Sequence, residues 1–163
     1  MHIEHWKCQS QHPELELSYQ NILAVCSRNR SNPPHKQHCD TRKGDLDLMY
    51  NPADTTHHAR LKIHYRKHTG KIESEDTVFC AELGGTARDT EGVLNLNHEQ
   101  IMNNRRAVIE LVEREIGKLP SNASKAHIRP LLDRWLTINS QGMLPAYAGV
   151  AMYFIEKRLA KAQ

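Results

Sequence analysis

The sequence predicts an α+β protein that combines a metal-binding motif, a small β extension and an α-helical C-terminal tail. Apolar and polar residues alternate in short stretches before residue 95, whereas apolar residues recur at helical spacing after it. The chain also opens with two histidines, a glutamate and a cysteine within its first eight residues. We therefore expect the motif in residues 1–50, the β extension in 51–95 and the helical tail in 96–163.

Composition narrows the class of protein before any motif is considered. The chain has 163 residues, 39% of them apolar, which suits one globular domain or one domain with a small appendage. Its formal charge of +3 is compatible with nucleic-acid binding without implying it. No apolar run approaches the roughly 18 residues of a membrane span, and no signal-like leader begins the chain. We expect a soluble protein of the cytoplasm with no membrane association.

Histidine and cysteine usage suggests metal chemistry. Eleven histidines are an unusual share for this length, and histidine takes up protons and binds metals near neutral pH. An isolated histidine such as His12 is expected to be solvated. The cysteines Cys8, Cys26, Cys39 and Cys80 fit free thiols or metal ligands better than disulfides in an intracellular protein, although in a secreted chain they could pair in three ways.

The first predicted elements are two short strands and a short helix. The segments IEHW (3–6) and NILAVC (21–26) have the length and composition of strands, and the turn-rich SRNRSNPPH (27–35) follows the second. Asp40 lies where it would cap a short helix that starts at Thr41.

A β-hairpin is predicted in RLKIHYRKHTGKI, residues 60–72. Leu61, Ile63 and Tyr65 alternate with basic or histidine side chains, which places the apolar residues on one face of a strand. The turn is expected at the Thr-Gly pair of this stretch.

The tail is expected to form helices, the first of which carries a charge on its apolar stripe. This helix runs from Asn97, its predicted N-cap with Gln100 in the capping-box position, to about Gly117. Arg105 falls on the stripe, so we expect it either to pair with an acid inside the fold or to reach a phosphate, and we favour the internal pair.

Two more helices complete the tail. The second is expected to have Pro130 in its first turn, with the segment before it (121–127) as a separate turn. Its apolar stripe consists of Ile128, Leu131, Leu132, Trp135 and Leu136. The third, LPAYAGVAMYFIEKRLAKA, is apolar on nearly all sides from Ala146 to Ile155. Such a helix is either buried in its own fold or covered by a partner, and the sequence leaves both open.

The N-terminal residues resemble a known nuclease motif. A strand that ends in Glu4-His5, an asparagine before the second strand (Asn21) and the run CDTRK at Cys39–Lys43 are similar to the three parts of the HNH endonuclease motif. In that motif an acid-His pair closes the first strand and C-[N/H/D]-x-x-K opens a helix. The resemblance implies an HNH ββα-metal core, also called a His-Me finger. Asp40 stands where His or Asn is usual, and an aspartate binds metal at least as well.

A closer resemblance covers residues 2 to about 112 and is weakest between 45 and 92. The patterns HIEHW…PELxLxYxNIL…C…HCDxxKGD and LNLNHEQIMNNRRAVIELV look like those of the PtuB-like HNH nuclease subunits of Septu and retron-associated anti-phage systems. This resemblance implies a bacterial defence nuclease that works with a PtuA-like ATPase and, in retrons, with a reverse transcriptase and its RNA-DNA product. The chain has no G-x-x-x-x-G-K-[ST] loop, so control by ATP would come from such a partner.

Hydrolysis of a phosphodiester needs a base for water, a cation that bears charge, and groups that orient both. His5 is the candidate base, and Glu4 and Asp40 are hard oxygen donors for Mg²⁺ or Mn²⁺. By resemblance, Asn21 fixes the loop between the strands and holds the backbone or ring of His5. Because alternate strand residues share a face, His2 would point with Glu4, away from His5, and is a further ligand if the strand reaches it.

Two further sets of ligands are expected around the short helix. Arg42 or Lys43 would contact a phosphate. In related proteins a C-x-x-C knuckle before the first strand joins two later cysteines around a structural zinc, whereas this chain starts at Met1. Either it begins at an internal start or this member has lost the knuckle, and two thiolates alone do not close a zinc site. The candidate zinc ligands are Cys26, Cys39, His35 and His38.

The sequence therefore predicts a metal-dependent endonuclease that cuts DNA or RNA, tRNA included, as the effector of an anti-phage system under a partner ATPase. The alternative is a catalytically silent, zinc-stabilised scaffold subunit of the same complex. A scaffold would require neither the acid-His pair nor Asn21 and Asp40, which favours the nuclease. The missing knuckle favours the scaffold a little. HNH chemistry does not distinguish DNA from RNA, because the metal acts on the phosphate.

Overall fold

The architecture is a mixed α+β fold, as predicted, in a computed structural model that describes residues 2–25, 31–84 and 92–162. Within these ranges four strands pair as two separate two-stranded sheets. The strands are β1 (His2–His5), β2 (Ile22–Val25), β3 (Ile63–Tyr65) and β4 (Ile72–Ser74). The helices are α1 (Cys39–Lys43), α2 (Thr55–Leu61), α3 (Thr77–Gly84), α4 (Glu99–Gly117), α5 (Lys125–Leu136) and α6 (Ala148–Leu159). None of the helices in the described ranges has the length and apolar character needed to cross a bilayer.

The chain divides into two compact units. Within the described ranges, the first unit comprises Met1–His64 and Ile72–Ile101, and the second comprises Tyr65–Lys71 and Met102–Gln163. Every predicted site residue that the structure describes therefore lies in the first unit.

The strands β1 and β2 form an antiparallel pair whose register places His5 opposite Ile22. Both strands are confirmed close to their predicted bounds, apart from Cys26, which lies outside the described residues. The ladder extends one step past β1, since the Trp6 N–H donates to the Asn21 carbonyl at 2.9 Å. The pairing thus brings the end of β1 beside the residue that precedes β2.

The helix α1 begins two residues earlier than predicted. Cys39 is its first residue, so Asp40 lies inside the first turn and the prediction that it caps the helix is wrong. His38, with an extended backbone, takes the N-cap position. Because residues i and i+3 share a helix face, Asp40 and Lys43 turn to the same side, and both are buried.

The predicted hairpin forms from β3, a turn and β4, but its first strand is shorter than expected. Leu61 is the last residue of α2 instead of a strand residue. Asp54 caps this helix, since its Oδ1 accepts the Thr56 N–H at 2.8 Å, and a cap of this kind favours helix at the next residues. Lys62, with a left-handed φ of 39°, ends α2 and redirects the chain into β3.

Asn97 does not cap α4, and that prediction is wrong. The helix begins at Glu99, and the Asn97 side chain instead pairs with the backbone of Ile72. Its Oδ1 accepts the Ile72 N–H at 2.8 Å and its Nδ2 donates to the Ile72 carbonyl at 2.9 Å. The side chain thus satisfies both backbone groups of a β4 residue, as a neighbouring strand would.

The helix α5 begins before its proline. Lys125 is its first residue, so Pro130 is the sixth and lies inside the helix, contrary to the prediction. At the helix start the Ser124 N–H donates to His127 Nδ1 at 3.3 Å, which satisfies a terminal donor and allows the helix to begin there. Four of the five stripe residues are buried, whereas Leu136 is exposed.

The helix α6 lies in the core of the second unit. Ala148, Val150, Ala151 and Ile155 are all buried, and α6 packs against α5. Of the two alternatives for this apolar helix, burial in its own fold therefore accounts for these four side chains. The helix starts at Ala148, after Tyr147 in a left-handed conformation, and is shorter than its apolar sequence suggests.

Arg105 is a buried cation in the second unit, with 4% of its surface exposed. Its Nη1 donates to the Gly70 carbonyl at 2.9 Å. Gly70 has a φ of +69°, and a Cβ there would lie 2.2 Å from the Met102 carbonyl, so only glycine presents its carbonyl from this turn. Arg105 thus bonds inside the fold, with a carbonyl as one of its partners, whereas the favoured pairing with an acid stays a prediction.

We expect Arg105→Ala to lower the free energy of unfolding by about 1–3 kcal/mol, because the buried Gly70 carbonyl loses a donor. The matched control is Arg106→Ala, since Arg106 is exposed and pairs with Glu110 at 3.7 Å on the helix surface. The control should change stability by less than about 0.5 kcal/mol. Urea denaturation followed by circular dichroism measures both, and equal effects would contradict an internal role.

Candidate metal centre

A cleft of about 590 Å³ lies in the first unit, where β1, the loop after it and α1 meet. Glu4 and His5 line it from the end of β1, and Asp40 and Thr41 line it from the first turn of α1. Residues 8–10 and 44–45 complete its walls. The cleft thus joins three of the predicted site residues, which are 36 positions apart at most along the chain.

Three predicted ligands come together at this cleft. One ligand atom each from His2, Glu4 and Asp40 lies within 4.8 Å of the other two. His2 and Glu4 are alternate residues of β1 and share a face, with His2 Nε2 3.8 Å from Glu4 Oε1. The strand therefore extends far enough for His2 to join the set. No other such group of three occurs in the part of the chain that the structure describes.

The chemistry of this donor set fits a divalent cation. Asp40 is only 7% exposed, and Glu4 is partly buried, so water screens their mutual repulsion poorly. A cation held by both carboxylates removes that repulsion. Carboxylate oxygens are the donors that Mg²⁺ uses, and an imidazole nitrogen beside them also suits Mn²⁺.

His5 lies outside this cluster but on the same cleft. Its Nε2 is 2.9 Å from the backbone carbonyl of Glu16. A carbonyl only accepts hydrogen bonds, so Nε2 carries the proton in this contact. The lone pair of the neutral ring is then on Nδ1, which is the nitrogen that accepts a proton.

Asn21 fixes the loop between the strands, as expected, but reaches His5 indirectly. It is 3% exposed, and its Oδ1 accepts the Lys7 N–H at 2.7 Å. Its Nδ2 donates to the carbonyls of Lys7 at 3.0 Å and Leu15 at 3.2 Å. The next carbonyl after Leu15 is that of Glu16, which meets the His5 ring.

The structure does not bring the two predicted phosphate contacts to the cleft. Lys43 is 4% exposed, and its ammonium donates to the Gly44 carbonyl at 3.3 Å. It is buried because it shares the inward face of α1 with Asp40. Arg42 points elsewhere, with its Nε 3.5 Å from the Gly92 carbonyl. Among the described residues that line the cleft there is no lysine or arginine.

The predicted zinc ligands are only partly placed. His38 Nδ1 lies 3.3 Å from Cys39 Sγ, whereas His35 is exposed and Cys26 is outside the described residues. His98, which the sequence did not single out, lies nearby, with its ring centroid 6.1 Å from that of His38. Burial, and secondarily the charge of His98, lower the pKa of His38, which favours the neutral imidazole.

Sequence reasoning missed Asp47, which organises the loop that borders the cleft. It accepts hydrogen bonds from Lys7 Nζ at 3.0 Å, His12 Nε2 at 3.0 Å and the Cys8 N–H at 3.2 Å. His12 is thus engaged in a hydrogen bond to a carboxylate, contrary to its expected solvation. Burial raises the pKa of Asp47, but the hydrogen bonds from Lys7 and His12 outweigh it and hold the pKa below its usual value. These partners are 35–40 positions apart in sequence, so no local pattern reveals them.

Comparison with known proteins identified no relative of this chain. No family model, no curated protein and no solved structure matches the chain. The function of the cleft must therefore be inferred from its own residues and from the motif in the sequence.

We expect Mn²⁺ binding at the cluster, and Asp40→Asn should weaken it by at least about tenfold, because even outer-shell changes at metal sites have effects of this size. The matched control is Asp45→Asn. Asp45 is an exposed carboxylate that lines the same cleft outside the cluster, so the variant removes an equal charge. Titration calorimetry measures both affinities. Equal weakening by the two variants would mean that the acidic cleft attracts cations without coordinating them.

Proposed function

We propose that this cleft is the active site of a metal-dependent endonuclease that hydrolyses phosphodiester bonds in DNA or RNA. The observation that carries the proposal is the shared cleft. A histidine whose Nδ1 is available as a base lines the same cavity as Glu4 and Asp40, which together with His2 form a cluster suited to a divalent cation. Neither feature alone would indicate nuclease chemistry.

The residues of the chain have separable roles in this reaction. His5 Nδ1 takes a proton from water as the water oxygen attacks phosphorus. The bond from phosphorus to the leaving oxygen breaks, and this oxygen takes a proton from solvent. The Glu16 carbonyl keeps Nε2 protonated throughout, so that the ring gains a positive charge which the acidic cleft stabilises. The half-exposed ring then returns its proton to solvent.

The proposed metal ligands account for the neutralisation of negative charge in the reaction, which His5 as a base does not provide. His2, Glu4 and Asp40 would hold Mg²⁺ or Mn²⁺. When bound, the cation neutralises charge on the scissile phosphate and on the leaving oxygen. This role is the more necessary because the charged side chains Glu4, Asp40 and Asp45 on the described cleft wall are all acidic and repel a phosphate.

The order of elements supports assignment of this cleft to an HNH ββα-metal core. The acid-His pair ends β1, Asn21 directly precedes β2, and Asp40 lies in the first turn of α1. That order is the one that the HNH motif requires. With the PtuB-like patterns, we infer a bacterial cytoplasmic defence effector under a PtuA-like ATPase and, in a retron, beside a reverse transcriptase and its RNA-DNA product.

A second candidate function is a silent scaffold subunit stabilised by zinc. One observation favours it: Lys43 is buried and Arg42 does not line the cleft, which leaves the described cleft wall without a cation for phosphate. The contact between His38 and Cys39 provides two of the ligands that such a zinc site would need.

We expect the purified chain, alone or with its ATPase partner, to cut supercoiled plasmid or total tRNA in Mg²⁺ or Mn²⁺ but not in EDTA. His5→Ala should lower the rate by about 10²–10⁴-fold, which is the usual contribution of a general base. The control is His64→Ala, because His64 is a partly exposed histidine that pairs with Glu75 at 3.3 Å and does not line the cleft. Gel electrophoresis of the products identifies the substrate.

The outcomes separate the two candidate functions. Metal-dependent cutting that is lost in His5→Ala and kept in His64→Ala supports the nuclease. If nothing is cut with any cation while the ATPase still binds, the scaffold is the better proposal.

A further inference from the structure

We propose that Asp47 is a positioning residue for His5, acting through the loop of residues 6–18 that joins β1 to the chain before β2. This inference rests on the proposed nuclease function, in which His5 is the base. Asp47 does not line the cleft; its effect passes through the loop to the carbonyl that holds the His5 ring.

Asp47 binds one end of the loop at three points. Its Oδ2 accepts from the Lys7 ammonium and from His12 Nε2, each at 3.0 Å, while its Oδ1 accepts the Cys8 N–H at 3.2 Å. These donors span six residues of the loop, so one carboxylate restrains both its first and its middle part. The bonds from Lys7 and His12 are charge-assisted, and such hydrogen bonds are stronger than those between neutral groups.

Hydrogen bonds within the loop connect the part that Asp47 binds to Glu16, the residue that contacts His5. The His12 N–H donates to the Cys8 carbonyl at 3.0 Å, and the Leu15 N–H donates to the His12 carbonyl at 3.0 Å. Gln9 Nε2 donates to Glu16 Oε1 at 3.0 Å. A shift of Cys8 or His12 is therefore transmitted to Glu16 through short bonds.

The far end of the same loop meets the catalytic histidine. Glu16 gives its carbonyl to His5 Nε2, and Asn21 holds the preceding carbonyl, that of Leu15. The position of the His5 ring thus depends on two anchors, which are Asn21 on one side and Asp47 on the other. The sequence motif identifies the first of these and not the second.

Other contacts to the segment 45–48 do not replace Asp47. Trp6 Nε1 donates to the Leu48 carbonyl at 2.8 Å, and Gln11 Nε2 donates to the Asp45 carbonyl at 3.4 Å. Both acceptors are neutral backbone groups, so removal of Asp47 takes the charged acceptor from Lys7 Nζ and from His12 Nε2, while Glu14 stays 3.7 Å from the other ring nitrogen of His12. The lowered pKa of Asp47, caused by these hydrogen bonds in spite of burial, keeps the carboxylate ionised at neutral pH.

The test compares Asp47→Asn, Asp47→Glu and the control Glu14→Gln. Glu14 lies on the same loop and faces the other ring nitrogen of His12 at 3.7 Å, so the control removes an acidic neighbour of His12 but leaves Asp47 in place. We expect Asp47→Asn to lower kcat by up to about 100-fold, the effect of misplacing a catalytic group by about 1 Å. The KM and the Mn²⁺ affinity should be unchanged, Asp47→Glu should recover part of kcat, and Glu14→Gln should stay within about twofold of the parent chain.

A second readout does not depend on activity. In the parent chain the His5 Nε2–H is hydrogen-bonded to the Glu16 carbonyl, which slows its exchange with water and should give an observable imidazole N–H signal in NMR spectra. Asp47→Asn should lose this signal through exchange with water while backbone amide signals remain dispersed, and Glu14→Gln should keep it. If Asp47→Asn does not fold, His12→Ala carries the test, because it removes one of the three donors to Asp47, and the signal should weaken.

The proposal is overturned if Asp47→Asn folds and keeps both the parent kcat and the His5 proton signal. It is also overturned if kcat and the signal fall equally in Glu14→Gln. Should the parent chain cut no substrate, the nuclease assignment fails, while the NMR signal still decides whether Asp47 positions His5.

Discussion

The antiparallel pairing of β1 with β2 is the constraint on which the rest of the site depends. Strand alternation turns His2 and Glu4 to one face and His5 away from them, so a four-residue strand separates two of the proposed metal ligands from the proposed base. The register also sets Asn21 beside the end of β1, where it can bind the returning loop. A slip of one residue would exchange the two faces and leave neither function in place.

The charge distribution around the cleft follows from the residue at which α1 begins and from the side chains that this start turns inward. The helix starts at Cys39, which directs Asp40 toward the cluster and buries Lys43 on the same face. The result is an acidic cavity beside a cation that is withdrawn from solvent. In the proposed nuclease, such a cavity would attract divalent cations before phosphates, so substrate binding would follow metal binding.

Local patterns in the sequence predicted the elements better than their boundaries. The strands, the hairpin and the tail helices were expected from periodicity, and the cluster residues from motif spacing. The start of α5 was missed because a histidine, His127, takes the capping role that Glu or Gln usually has. Asn97 was assigned to the wrong partner because Ile72 is 25 residues away, and Asp47 was overlooked because its partners are more distant still. For Asn97 and Asp47, what the sequence could not supply is a side chain that bonds to a remote segment.

The division of the chain into units has a consequence for its synthesis and for its dissection. Tyr65–Lys71 belongs to the second unit, although the residues on both sides of it belong to the first. The bond between Arg105 and Gly70 ties that inserted turn to the tail. Neither unit is a continuous stretch of polypeptide, so the ribosome must deliver most of the chain before either can close. A single cut after Ile101 would therefore keep both parts of the first unit in one fragment, whereas it would separate Tyr65–Lys71 from the rest of the second.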